Sequence, residues 1–244
     1  MRCATLSSHE RPLQVILHAQ FLIAALWAVL GAAAGVGVRW GSVRLAILEG
    51  DLEPGHKWWQ VYGPPVLSAI VFGIYGYEIT SFPVLVVRSI FVLVLVQVIF
   101  FDFEYHLILD RVIFPSMILA LALAVLGKPW WPGGTLSGNG LVLERPVADA
   151  LIVGIGTGLL FLLLAFLGAA IFKAEALGFG DVKLVLFMGL LLGWPYTVTA
   201  LFYGVVLASV GAITFIVVHR SLKGTIAYGP YLAAGALLVL LQLP

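Results

Sequence analysis

Long runs of Leu, Val, Ile, Ala and Phe alternate along this chain with short polar breaks. A hydrocarbon core about 30 Å thick takes about 20 apolar residues per helix. Eight runs reach or approach that length, at 15–38, 61–79, 83–101, 112–127, 147–171, 181–195, 197–218 and 226–243. They are continuously apolar and lack the period-two alternation of a lipid-facing strand, which excludes a membrane barrel. The first run is longer than a signal-peptide core and has no small-residue cleavage pattern, so it is expected to remain as a helix. The pattern predicts an all-α membrane protein, a polytopic bundle of about eight transmembrane helices forming a single transmembrane domain over 1–244.

Composition narrows the function classes. Of 244 residues, 62% are apolar and 10% charged, against roughly 45–50% and about 25% in soluble domains. With a mean hydropathy of +1.10 the chain cannot clothe a water-facing surface, which excludes a soluble enzyme and a disordered segment. A net charge of +1 excludes a nucleic-acid partner, since binding there rests on many cationic contacts to phosphate. Cys3 is the only cysteine, which excludes a disulfide framework and a Cys-rich zinc module.

Loop charge gives the orientation. The loops after odd-numbered spans, with their flanks, hold Arg39, Arg44, Lys57, Arg111, Lys173, Lys183, Arg220 and Lys223; the other side holds Arg2, Arg11, Lys128 and Arg145. Both termini are therefore expected outside and the odd loops in the cytoplasm. The connection 128–146 is expected to be non-cytoplasmic, with Trp130 and Trp131 as headgroup anchors. Gly154, Gly156 and Gly158 spell GxGxG inside a span with no preceding strand, which reads as close helix packing.

Twelve acidic residues are left to place. Glu49, Asp51 and Glu53 read as a solvated cluster in the first cytoplasmic loop. Asp102, Glu104 and Asp110 follow the third span, and Asp181 opens the sixth, so two cytoplasmic-boundary segments, 102–111 and 172–183, carry the candidate chemistry. An ionisable side chain at membrane depth is a functional hypothesis by default. Taken singly, Asp102 reads as an interfacial residue and Asp181 as a helix cap. Taken together, two carboxylates at one depth can meet across a bundle and share one proton. The ionised member can then draw a proton from water attacking a peptide carbonyl, while the protonated member polarises that carbonyl. Gly178 and Gly180 would leave room for a substrate backbone beside Asp181. The histidines, His9, His18, His56, His106 and His219, form no HExxH or His/Cys cluster, so no metal site is expected.

These residues also resemble a known family. Gly178-Phe179-Gly180-Asp181-Val182-Lys183-Leu184 is similar to the GxGD signature of membrane aspartic proteases, in the G-x-G-D-x-K-L form of type IV prepilin peptidases. Asp102 through Asp110, DFEYHLILD, resembles that family's D-x-D-x-x-x-x-P-D segment after the third helix, and Tyr228-Gly229-Pro230-Tyr231 resembles its F/Y-G-P segment opening the last helix. The resemblance covers about residues 58–240. It implies that Asp102 and Asp181 are the catalytic pair, with Gly178, Gly180, Lys183, Glu104 and Asp110 in support. It further implies a multi-pass protein of a prokaryotic inner membrane that cuts the short basic leader from prepilins and pseudopilins at the cytoplasmic face.

Three departures from the family pattern stand out. Leu109 replaces the usual proline, and Glu104 stands where Asp is common. Residues 39–60 contain no cysteine, whereas bifunctional members carry two CxxC pairs there, associated with zinc and N-methylation. No cofactor is expected for proteolysis, and S-adenosylmethionine enters only if a methyltransferase activity is present. The alternatives are another GxGD protease of the preflagellin type, a proton-coupled transporter using the paired carboxylates, and an inactive homologue acting in assembly. A transporter would be expected to show inverted repeats and matching broken helices, and no such repeat is found in the sequence.

Overall fold

A computed structural model describes residues 10–50, 55–127, 130–133, 146–172, 178–219 and 227–243. The side chains of the Glu49, Asp51 and Glu53 cluster, most of the 128–146 connection, and 173–177 with Lys173 lie outside the described residues. Among the described residues the chain forms eight helices and no strand. They are α1 (Glu10–Gly50), α2 (Trp58–Glu78), α3 (Phe82–Tyr105), α4 (Asp110–Leu126), α5 (Pro146–Phe172), α6 (Phe179–Leu192), α7 (Tyr196–His219) and α8 (Gly229–Gln242). Four contain stretches long and apolar enough to cross a bilayer: His18–Leu48, Phe82–Tyr105, Pro146–Ile171 and Tyr196–Val218. The protein is an all-α, multi-pass membrane protein.

Two helices outrun the expected spans. α1 has 41 residues, about 60 Å at 1.5 Å per residue, twice the hydrocarbon thickness, and it continues through Arg39 and Arg44 where a loop was expected. α3 continues past Phe101 to Tyr105, so Asp102 and Glu104 stand on its last helical turn and not in a loop. Helical hydrogen bonding continues wherever side chains can be accommodated; the first charged residue ends the apolar run but not the helix.

The layers follow from burial. α3, α6 and α8 make the centre, where Phe91, Leu95, Leu184, Phe187, Met188, Leu191, Leu232 and Leu240 are essentially inaccessible. α1 packs chiefly on α2, α5 on α6 and α7 on α8, and the outer faces of α1, α5 and α7 leave residues such as Leu26, Leu159, Phe166 and Val217 exposed, as helices facing lipid require. The glycines of the GxGxG run divide by face. Gly154 lies against Gly189 and Leu190, and Gly158 against Leu186, whereas Gly156 faces open space, so two of the three bring α5 close to α6.

α6 and α8 have only 14 residues each, about 21 Å, too short to cross a bilayer alone. They are largely buried among the other helices. Their ends are also inside the bundle, where the last carbonyls of a helix have no partner on their own helix. Three side chains supply donors. Trp131 Nε1 donates to the Leu190 carbonyl at 3.0 Å, Tyr75 Oη to that of Leu240 at 2.9 Å, and Arg88 Nη1 to that of Leu243 at 2.7 Å. The expectation for Trp131 is thereby corrected: its ring is 1% exposed and closes the end of α6, while Trp130 alone stays at the surface.

Candidate active site

Asp102 is buried on the last turn of α3. That helix ends when His106 adopts a left-handed conformation (φ 52°, ψ 40°) and its N–H closes on the Asp102 carbonyl at 2.9 Å. The chain then turns through Leu107 and Ile108 to Leu109, whose φ of −74° lies in the range a proline imposes. The substitution of leucine at the family's proline position therefore leaves the turn's backbone unchanged in kind. Leu109 also fills a small apolar cluster with Ala46 and Phe101.

Asp181 is the third residue of α6, whose N-cap is Gly178. Its carboxylate lies beside Gly178 at the head of the helix, where an acidic side chain is favoured. That placement occupies one side of the carboxylate only. Oδ2 lies toward Gly178, and Oδ1 points to the opening residue of α8.

That residue is Gly229, the first of α8, followed by Pro230. A β-carbon built on Gly229 would collide with Asp102 Oδ2 and would stand 3.2 Å from Asp181 Oδ1. The two carboxyl oxygens thus flank one point, close enough for a single water molecule to hydrogen-bond both. Asp102 is 5% and Asp181 9% exposed. In so poorly solvated a place the pair is most easily accommodated with one proton between them. Such a pair can activate a water molecule and polarise a carbonyl oxygen in one step.

The other residues singled out from the sequence fall in three places. Glu104 is two positions from Asp102, about 200° around the helix, and faces away from it. Its Oε2 meets Arg39 Nη1 at 2.8 Å and its Oε1 accepts from the Gly55 N–H at 2.6 Å; Arg39 also donates to the Gly55 carbonyl. Lys183 is committed to Asp110, with Nζ 2.7 and 2.8 Å from its two oxygens, and it lies over the rings of Phe114 and Phe179. This pair joins the start of α4 to the start of α6. Gly178 has only Asp181 Oδ2 near the position of a side chain, at 3.5 Å, while the corresponding space at Gly180 is filled by Ile108.

Residues missed as site candidates are Gly229 and Ile108. For Gly229 a signal existed, because Gly-Pro at the head of an apolar run marks a helix start. For Ile108 there was none. No group of three or more His, Cys, Asp or Glu comes together as a metal site among the described residues. The segment that would carry the zinc module offers no thiolate, and where described it is held by the Arg39, Glu104 and Gly55 contacts. The residues present do not fit that metal centre.

Searches of curated proteins and of solved structures gave no match. The family comparison did: the sequence model of the type IV leader peptidase family matches residues 89–213. That interval is just over half the chain and contains both Asp102 and Asp181. The chain is therefore a peptidase-type membrane protein and belongs to the type IV leader peptidase family.

Proposed function

We propose that this protein is a membrane aspartic endopeptidase. It removes the short basic leader from prepilins and pilin-like secretion subunits at the cytoplasmic face of a prokaryotic inner membrane. The observation that carries the reading is the convergence of Asp102 Oδ2 and Asp181 Oδ1 on one point beside Gly229. Family membership supports the leader peptide as substrate. The charge count of the loops supports the cytoplasmic face.

Substrate chemistry agrees with the placement. A basic leader is retained in the cytoplasm, and the apolar helix that follows it lies in the bilayer, so the scissile bond is held at the boundary where α3 ends and α6 and α8 begin. The ionised carboxylate of the pair takes a proton from the attacking water. The carboxylic acid gives its proton to the carbonyl oxygen and takes it back as the tetrahedral intermediate collapses, while the proton first taken from water passes to the leaving amine. Proteolysis in this scheme uses no cofactor, zinc is not required, and N-methylation of the product is a separate step that needs S-adenosylmethionine.

The test is co-expression with a candidate prepilin, with the product N-terminus read by mass spectrometry. The expected product begins next to the apolar segment, and purified protein keeps cleaving after chelation with EDTA. An intact leader at full membrane abundance of the enzyme, or activity lost with EDTA and restored by Zn²⁺, would sink the reading.

A further inference from the structure

Three pieces of backbone meet around the carboxyl pair: the turn between α3 and α4, the first turn of α6, and the first residue of α8. One side chain stands between them. The Cβ of Ile108 lies 3.1 Å from where a β-carbon of Gly180 would be, and its Cδ1 lies 3.0 Å from the corresponding point on Gly229. Both glycines are followed or faced by a carboxylate: Asp181 comes directly after Gly180, and Asp102 Oδ2 fills what remains of the space at Gly229. We propose that Ile108 is a positioning residue, a spacer that sets how far apart the amino termini of α6 and α8 stand and hence how Asp181 meets Asp102. Gly180 and Gly229 are its seats.

The argument is one of volume. Close-packed interiors do not absorb an added methyl without a shift. A methyl at Gly229 crowds three neighbours: the Asp102 carboxyl most closely, then Ile108 Cδ1 and Asp181 Oδ1. The packed isoleucine is wedged against a second helix at Gly180, whereas the Asp102 carboxyl can rotate, so the carboxyl is what moves. A catalytic group misplaced by about 1 Å can cost on the order of 100-fold in rate. Shortening Ile108 to valine removes Cδ1, one of the crowding atoms, and leaves the Cβ contact with Gly180, which opens room for the added methyl.

This inference rests on the aspartic mechanism proposed above for its activity readout, and a geometric readout keeps the two separable. Against a prepilin, Gly229→Ala is expected to lower kcat roughly 100-fold with little change in KM, and Gly229→Ala/Ile108→Val to recover about tenfold of that loss. In parallel, Asp102→Cys/Asp181→Cys in a Cys3→Ser background is treated with a short bifunctional methanethiosulfonate. Bridging is expected to be efficient with Gly229, weakened by Gly229→Ala and restored by adding Ile108→Val. Should Gly229→Ala fail to accumulate, Ile108→Ala removes the spacer itself and is expected to lower both rate and bridging. Wild-type bridging and rate in Gly229→Ala or in Ile108→Ala, or no recovery on adding Ile108→Val, would overturn the spacer. A wild-type protein that cleaves no leader while the bridging series behaves as described would sink the peptidase reading and leave the spacer standing.

Discussion

The carboxylate of Asp181 faces two ways, with Oδ2 toward Gly178 at the head of its own helix and Oδ1 toward Gly229, which Asp102 Oδ2 also borders. Glu104, only two residues from Asp102, has the opposite fate: its side chain is 5% exposed and is paired with an Arg39 side chain that is 13% exposed. Leaving a carboxylate so enclosed without its cation is costly, about 3 kcal/mol. Arg39→Ala should therefore lower the unfolding temperature in detergent markedly, and Glu104→Gln less, because the amide keeps an acceptor for the Gly55 N–H. Both proteins, assayed below that temperature, should retain a substantial part of the cleavage rate. A Glu104→Gln protein that is stable but inert would place Glu104 in the chemistry. Asp102 and Asp181 were legible in the sequence because charge is rare in apolar runs and its presence is informative. Gly229 was visible only as part of a helix-opening Gly-Pro motif and Ile108 not at all, since the nearness of both to the carboxyl pair appears only when three separated segments are brought together.

Among the helices, the apolar pattern located all eight to within a few residues at most ends, and it failed in two instructive ways. It ended α1 and α3 at Arg39 and Asp102, although backbone hydrogen bonding continues past a charge that has a partner or reaches the interface. It also read α6 and α8 as spans, although the sixth run, 181–195, was already short. Hydrophobicity does not distinguish a helix immersed in lipid from one immersed in protein. Burial of the ends of the short helices is what calls for Trp131, Tyr75 and Arg88, because each donates to a carbonyl there. Trp131→Phe keeps most of the ring's volume and removes the donor, leaving the Leu190 carbonyl buried without its partner at a cost of about 1–3 kcal/mol. Thermal unfolding should report that loss, with the cleavage rate at low temperature little changed. An unaltered unfolding temperature would mean that the carbonyl finds water instead.

Over the whole molecule, lipid-facing α1, α5 and α7 enclose a core in which two short helices present their amino termini to the end of a long one. A helix amino terminus carries unpartnered N–H groups and partial positive charge, and both α6 and α8 bring theirs to the carboxyl pair. The arrangement has two of the parts that peptide hydrolysis calls for: a pair of acidic groups and little competing solvent. The family match at residues 89–213 covers α4 to α6 whole and most of α3 and α7, while α8, which supplies Gly229, falls beyond it. The central claim is that Asp102 and Asp181 act as one unit. It is tested most directly by measuring prepilin cleavage at equal membrane abundance for Asp102→Asn, Asp181→Asn and the double variant, with Asp110→Asn as a control outside the pair. Each single replacement is predicted to abolish nearly all activity and the double to be no worse than either, since groups acting as a unit fail together, while the control keeps a substantial rate. An Asp181→Asn protein that cleaves at a near-wild-type rate would contradict the account and leave that residue a helix cap alone.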